Sequence, residues 1–115
     1  TALLHTEALQ KIIRSNRNRL EIEMHELILD IMESVGTDTF SFDCNDIFLL
    51  LRYSQAKVEK HQVRRVLKEC WKLNPAPNTL TYTTYQLDYT RDCHYSPMRK
   101  TGRFYTVTKS FLETL

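Results

Sequence analysis

Residues 55–73, QAKVEKHQVRRVLKECWKL, carry the clearest pattern in this chain of 115 residues. At 100° per residue, a helix places five cationic side chains within about 80° of one another. These are Lys57, His61, Arg64, Lys68 and Lys72, with Lys60 and Arg65 on their flanks. The opposite side carries Val63, Val66, Leu67 and Cys70, with Trp71 at the boundary. The pattern predicts a helix that packs by one face and exposes cations on the other.

The charges around this helix are unbalanced. Residues 52–72 contain seven Lys/Arg and two Asp/Glu, and we expect Glu69 to lie on the far side of the helix. The chain has a net charge of +2, but residues 1–50 hold four Lys/Arg and nine Asp/Glu, whereas residues 51–115 hold twelve and five. An uncompensated basic stripe predicts an anionic partner, and an ordinary solvated surface is the alternative interpretation.

Upstream of this helix, the sequence predicts a long helix from about residue 6 to residue 35. Its apolar residues recur at helical spacing. They are Leu9, Ile12, Ile13, Leu20, Met24, Leu27, Ile28, Ile31 and Val35. Gly36 follows and suits the left-handed position after a helix. Residues 15–18 are polar, so one helix or two are both consistent with the pattern.

A short strand and a second helix are predicted between these two segments. Residues 39–42, TFSF, alternate polar and aromatic side chains, as strands do. Asp43 is a good N-cap for a helix that contains the apolar run at residues 47–51 and ends near Ser54. We expect Ser54 to cap the basic helix, which stops before Pro75.

After Pro77 the composition changes to one typical of strands. Residues 79–90 are rich in Thr and Tyr, and residues 103–109 form a second such run. The intervening residues 91–102 contain Pro97 and Gly102, which favour a loop. The sequence therefore predicts a β-hairpin of these two strands, followed by a short terminal helix capped by Ser110.

This order of elements resembles the winged-helix family of DNA-binding domains over about residues 20–109. The resemblance implies an α+β winged helix-turn-helix fold, with a three-helix core, a C-terminal β-hairpin wing and an extended N-terminal helix. We expect a single domain over residues 1–115, with residues 1–19 as a helical extension and residues 110–115 as a C-terminal helix. Surplus apolar side chains in the extension favour a homodimer contact.

The resemblance also assigns roles to individual residues. It implies that the third helix contacts double-stranded DNA through Lys57, Lys60, His61, Arg64, Arg65 and Lys68. It implies that the wing contacts the backbone or the minor groove through Arg99, Lys100 and Arg103. Lysines mainly neutralise phosphates, whereas the planar guanidinium groups of Arg64 and Arg65 are suited to guanine O6 and N7.

Other classes of function have little support in the sequence. There is no GxSxG, HExxH, Walker or dinucleotide-binding pattern, so we expect neither an enzyme nor a cofactor. Cys44, Cys70 and Cys93 are odd in number and widely spaced, which predicts no disulfide framework, no metal site and an intracellular location, cytoplasmic or nuclear. We expect Cys70 to be buried on the apolar side of its helix. No apolar run is long enough to span a membrane.

Two functions remain as alternatives. The first is DNA binding by the winged-helix domain of a transcription regulator or of a replication or partition protein. The second is a winged-helix protein–protein interaction module whose basic helix faces an acidic partner. RNA binding is less favoured, because the aromatic pattern of RNA-recognition modules is absent.

Overall fold

The computed structural model describes residues 19–92 and 94–115, and within them the fold is mixed α+β, which confirms the predicted class. Its four helices and four strands follow one another along the chain. They are α1 (Arg19–Val35), β1 (Thr39–Phe42), α2 (Cys44–Tyr53), α3 (Lys60–Arg65) with a π-helical turn (Val66–Cys70), β2 (Thr81–Asp88), β3 (His94–Thr101), β4 (Tyr105–Thr108) and α4 (Lys109–Glu113). No helix among the described residues is long and apolar enough to cross a membrane.

Helix α1 packs its apolar stripe into the core. Met24, Ile28 and Ile31 are fully buried, as the helical spacing predicts. The helix ends at Gly36, whose φ of +73° lies in the left-handed region and whose N–H donates to the Met32 carbonyl at 2.9 Å. The predicted helix over residues 6–18, and with it the dimer contact, lies outside the described residues.

The segment that leads from β1 into α2 has the predicted structure. Phe40 and Phe42 of β1 are buried, while the intervening Ser41 lies on the other face. Asp43 caps α2, because its Oδ1 accepts the Asp46 N–H at 2.8 Å and Asp46 Oδ2 accepts the Asp43 N–H at 3.0 Å. This reciprocal capping box satisfies two backbone donors at the start of the helix.

The strands pair differently from the prediction. Strand β2 pairs antiparallel with β3, which covers most of the expected loop, and β4 pairs with β1. Pro97 lies within β3, opposite Tyr85. A proline, which has no backbone N–H, is tolerated there because β3 pairs with β2 alone and its other edge is unpaired. The chain leaves β3 at Gly102, with φ of +155°, before β4 begins. The prediction of a hairpin between residues 79–90 and 103–109 is therefore wrong.

The β2–β3 hairpin lies against the helices. The Tyr85 ring is 5.8 Å from that of Phe40 in β1, and the Tyr95 hydroxyl donates to Asp30 of α1 at 3.2 Å. Near the hairpin tip, the Tyr89 ring makes an edge contact at 5.5 Å with Tyr53, the last residue of α2. The hairpin is thus folded back along α2 rather than projecting into solvent.

Helix α4 closes the core at the C-terminus. Its N-cap is Thr108, whose Oγ1 accepts the Phe111 N–H at 3.1 Å, and not the expected Ser110. Thr108 still belongs to β4, so the strand passes directly into the helix. Leu112 is fully buried, and the Phe111 ring contacts Trp71 at 6.2 Å.

Candidate nucleic-acid interface

The basic helix begins at Lys60, two to five residues later than the predicted start at residues 55–58. Gln55 has φ of +66°, and the Ala56 N–H donates back to the Leu51 carbonyl at 3.1 Å, so the chain turns sharply after α2. Helix α3 then starts at Lys60, where the Glu59 N–H donates to Gln62 Oε1 at 2.9 Å. Ser54 ends α2 and does not cap α3. Lys57, predicted on the basic helix, is therefore an exposed residue of the connecting segment.

A π-helical turn changes which side chains face the core at the end of α3. The Trp71 N–H donates to the Val66 carbonyl at 2.9 Å, a bond that spans five residues instead of four. The wider turn brings Trp71 into the core, where it is 4% exposed, and leaves Cys70 at the surface. The prediction that Cys70 is buried is wrong for this reason. Lys72 lies beyond the turn, with φ of +53°, and does not continue the stripe.

The remaining basic residues of α3 and its π-helical turn share the solvent face. Val63, Val66 and Leu67 on the opposite face are fully buried, which fixes the orientation of the helix. The exposed side chains are Lys60, His61, Arg64, Arg65 and Lys68. The amphipathic pattern thus places these five residues as predicted, although the helix is shorter.

One of these cations is compensated. Arg65 Nε donates to Glu69 Oε2 at 2.9 Å, with both side chains exposed. Glu69 was expected on the far side of the helix, but the i, i+4 spacing brings it beside Arg65, on the flank of the stripe. Within the part of the chain that the structure describes, Lys60, Arg64 and Lys68 form no ion pair.

Arg64 and Lys60 face the start of α2. Burial raises the pKa of the Cys44 thiol, and a hydrogen bond from Arg64 lowers it in part, as do the charges of Arg64 and Lys60. The carboxylate of Asp43 acts in the opposite direction on the same thiol. Two cations of α3 therefore lie close to the first residue of α2.

Two of the three predicted wing residues, Arg99 and Lys100, lie in a strand and not on a loop. They are near the C-terminal end of β3, opposite Thr83 and Tyr82. Arg103 lies at the bend between β3 and β4, where its Nε donates to Asn78 Oδ1 at 3.2 Å. The hairpin tip instead contains Arg91, which lies in the predicted loop but was not among the predicted DNA-contacting residues.

Lys100 belongs to a polar network in the fold. Its Nζ forms an ion pair with Asp46 Oδ1, and the two side chains are 28% and 4% exposed. The Tyr82 hydroxyl donates to Asp43 Oδ2 at 2.7 Å and is 3.2 Å from Asp46 Oδ2. Burial, with these carboxylates, strongly raises the pKa of Tyr82. This network joins the base of the hairpin to the start of α2, and it compensates the charge that was expected to face DNA.

Arg103 and Arg64 have a common neighbour. Burial raises the pKa of Tyr105 in β4, whereas the positive charges of Arg64 and Arg103 lower it in part. Arg64 thus acts on Tyr105 together with Arg103 and on Cys44 together with Lys60, whereas Lys100 is paired with Asp46.

Comparison of the chain with protein-family models, with curated proteins and with solved structures found no match. Among the described residues, no group of three or more His, Cys, Asp or Glu side chains is arranged to hold a metal ion.

Proposed function

We propose that this chain is a winged-helix DNA-binding domain that belongs to a transcription regulator or to a replication or partition protein. In this proposal, the solvent face of α3 and its π-helical turn enters the major groove of double-stranded DNA. The order helix, strand, two helices connected by a tight turn, and then antiparallel strands supports the proposal. The turn at Gln55 and the extended residues that follow it connect α2 to the proposed recognition helix.

The observation that carries the proposal is the one-sided exposure of α3. Its apolar face is fully buried in the core, so the orientation of the basic face is fixed. Lys60, Arg64 and Lys68 on that face form no ion pair within the described part of the chain. Cations that are held in place and not paired are available to neutralise phosphates.

The side chains would have different roles. Arg64 is held beside Cys44, and its planar guanidinium group is suited to a guanine edge. Lys60 and Lys68 would contact phosphates, as would Lys57 in the segment before α3. Arg65 would contribute less, because DNA must compete with Glu69 for its guanidinium group.

Fluorescence anisotropy tests this proposal. The domain is titrated into a random duplex, a single strand of the same length and an RNA duplex, at several salt concentrations between about 50 and 200 mM. We expect preference for duplex DNA, with affinity falling steeply as salt rises. Absence of duplex binding at about 50 mM salt would contradict the proposal.

One arginine and one lysine substitution make the test specific to α3. Arg64→Ala is expected to weaken binding, and Lys68→Ala to weaken all sequences alike and reduce the salt slope by about 0.9. Arg19→Ala is the matched control, because Arg19 is 94% exposed on α1 and its only ion pair in the described residues is with Glu23. Equal losses for Arg19→Ala and Arg64→Ala would mean that binding depends on total charge and not on this face.

A protein–protein interaction module is the second candidate. Leu49, Tyr53 and Tyr89 are 44%, 58% and 53% exposed, and Tyr53 and Tyr89 are in contact with each other. Exposed apolar side chains of this kind are typical of binding surfaces. If the protein binds no nucleic acid but retains an acidic partner protein through Lys60 and Arg64, this second function is the correct one.

A further inference from the structure

The β2–β3 hairpin and the C-terminal end of α1 line a cleft that the proposed DNA-binding function does not use. The volume of this cleft is about 370 Å³. Three of its lining residues carry aromatic rings, and the other three are a proline, a valine and a serine. They are Tyr85, His94, Tyr95, Pro97, Val35 and Ser34. We call this site the aromatic cleft.

Contacts within the fold hold the two tyrosine rings of the aromatic cleft in place. The Tyr85 ring lies 5.8 Å from the ring of Phe40, and the Tyr95 hydroxyl donates to Asp30 Oδ2 at 3.2 Å. Both tyrosines are still partly exposed. Rings that are fixed and accessible can attract a cation without first losing conformational freedom. The contact with Asp30 also places a carboxylate at the edge of the Tyr95 ring.

The charge at this end of α1 is negative. Residues 20–51 contain eight Asp/Glu and no Lys or Arg. Glu26, Asp30 and Glu33 are exposed, and their spacing of four and three residues places them on one face of α1. We call these three residues the acidic stripe, and within the described residues none of them forms an ion pair. The last turn of α1 carries no basic residue, so the partial negative charge of its terminal carbonyls is not compensated on the helix itself.

Two cations lie near the aromatic cleft without lining it. Arg99 follows Pro97 by two residues, so both side chains are on the same side of β3. Lys109 begins α4, and its N–H donates at 2.8 Å to the carbonyl of Asp38, three residues beyond the end of α1. In the part of the chain that the structure describes, neither cation forms an ion pair with the acidic stripe. The carboxylates of the stripe are therefore available to a positively charged ligand.

We infer that the aromatic cleft binds an arginine or lysine side chain of a basic segment in a partner protein. The aliphatic part of that side chain packs against Val35 and Pro97, and its cationic head lies against the tyrosine rings. Asp30 and Glu33 supply the complementary charge. Arginine is preferred, because its planar guanidinium group also stacks on aromatic faces. The cleft is larger than one side chain, so it also accommodates residues that flank the arginine.

The aromatic cleft is separate from the proposed DNA-binding face. Trp71, directly after the π-helical turn, donates through Nε1 to Glu21 of α1 at 3.3 Å. Ser34 lies thirteen residues further along the same helix, which corresponds to about 20 Å at a rise of 1.5 Å per residue. The inference therefore does not rest on DNA binding, and the acidic stripe would repel phosphates rather than attract them.

Titration of the ¹⁵N-labelled chain with short peptides, followed by NMR, tests the inference. The peptides consist of glycine and serine with a single arginine, lysine or citrulline at the centre. Citrulline has nearly the shape of arginine but no charge. We expect the arginine peptide to shift the amide signals of Ser34, Tyr85 and Tyr95 and to bind at least about fivefold more tightly than the citrulline peptide, with the lysine peptide between them. Equal binding of the arginine and citrulline peptides would contradict the inference.

Substitutions assign the binding to the aromatic cleft. Tyr95→Leu removes the ring but keeps an apolar side chain, and we expect the arginine peptide to bind at least about threefold more weakly. Glu33→Gln should weaken binding about twofold, whereas Arg99→Gln should strengthen it, because a neighbouring like charge is removed. Glu23→Gln is the matched control on the same helix, about 15 Å from Glu33, and should leave the affinity unchanged. Far-UV circular dichroism verifies folding, and the two surface variants at residues 33 and 99 test the inference even if Tyr95→Leu does not fold.

Three further results would overturn the inference. Equal losses for Glu23→Gln and Glu33→Gln would mean that the peptide responds to the total charge of α1 and not to the aromatic cleft. Free arginine bound as tightly as the arginine peptide would identify the ligand as a small cation and not a protein segment. A dimer of the chain alone that Glu33→Gln dissociates in sedimentation experiments would identify the occupant as a second copy. Duplex binding is measured separately by anisotropy, so this inference and the proposed function can fail independently.

Discussion

Replacing Lys100 by methionine tests whether its ammonium group stabilises the fold or contacts DNA. Asp46 is 4% exposed and pairs with Lys100, which is 28% exposed. In Lys100→Met, Asp46 keeps only neutral partners, the Asp43 N–H at 3.0 Å and the Tyr82 hydroxyl at 3.2 Å. Removing one partner of a buried ion pair costs about 3–5 kcal/mol. Because Lys100 is partly hydrated and Asp46 keeps two hydrogen bonds, we expect a loss of about 2–3 kcal/mol in the free energy of unfolding.

Urea denaturation at pH 7 measures this loss of stability. Titration of DNA at several salt concentrations measures whether the Lys100 ammonium group also contributes to DNA binding. Lys100→Met should leave the salt slope of DNA binding unchanged. Lys68→Met is the matched control and should behave in the opposite way, with stability within about 0.5 kcal/mol of the parent and a slope reduced by about 0.9. Asp46→Asn combined with Lys100→Met should recover part of the lost stability, since no buried charge is then left unpaired.

Two results would refute the reasoning about Lys100. If Lys100→Met is as stable as the parent and has a smaller salt slope, the ammonium group contacts phosphate and the ion pair with Asp46 contributes little. If the double variant is destabilised by the sum of the two single losses, the two side chains act independently.

Three further predictions concern the fold. Trp71→Ala should lower the free energy of unfolding, measured by urea denaturation, by about 3–5 kcal/mol, whereas Cys70→Ser should change it by no more than about 0.5 kcal/mol. A larger loss for Cys70→Ser than for Trp71→Ala would mean that the π-helical turn is absent. The folded state holds the Tyr82 proton more tightly than the unfolded chain does. The contribution of Tyr82 to stability should therefore be fully present below about pH 10 and decline as the pH rises above it. Tyr82→Phe should reduce that decline, which urea denaturation between about pH 8 and 11 measures. Gly36→Ala should lower the free energy of unfolding by about 1 kcal/mol, because residue 36 has a positive φ. Steric overlap adds nothing, since no atom lies within 4 Å of the added methyl group. An unchanged thermal midpoint would contradict this prediction.

Local chemistry made the first half of the described chain predictable. The helical spacing of Met24, Ile28 and Ile31, the glycine after α1 and the Asp43 capping box each depend on residues close in sequence. Such signals act over one or two helical turns, so they can be read from the sequence without knowing the partners in the fold.

The errors arose where partners distant in sequence decide the structure. Pro97 and Gly102 are typical loop residues, but Pro97 lies in β3 because only one edge of that strand is paired. The choice of β1 as partner of β4 depends on how Phe42 and Tyr105 pack, which no local pattern encodes. Propensity therefore predicted strands in this region and misassigned their pairing.

The candidate site was predictable in composition but not in detail. The basic face of α3 follows from a simple period, yet the π-helical turn shifts every residue after Val66 around the axis. Lys100 and Lys68 carry the same charge. Only the position of Asp46 shows that Lys100 forms an ion pair within the fold, whereas Lys68 is exposed to solvent.

The division of the strands into two separate pairs has a consequence for hydrogen exchange. The β2–β3 ladder shares no strand with the β1–β4 ladder, and Gly102 to Phe104 form the only described link between β3 and β4. Opening the hairpin breaks side-chain contacts with α1, α2 and β1 but none of the hydrogen bonds between β1 and β4. Amides of the hairpin should therefore exchange through a local opening that leaves the core folded, while those of Phe40 and Val107 exchange only with global unfolding. The same separation makes the turn at residues 89–92 the place where the chain could accept extra residues at least cost to the remainder of the fold.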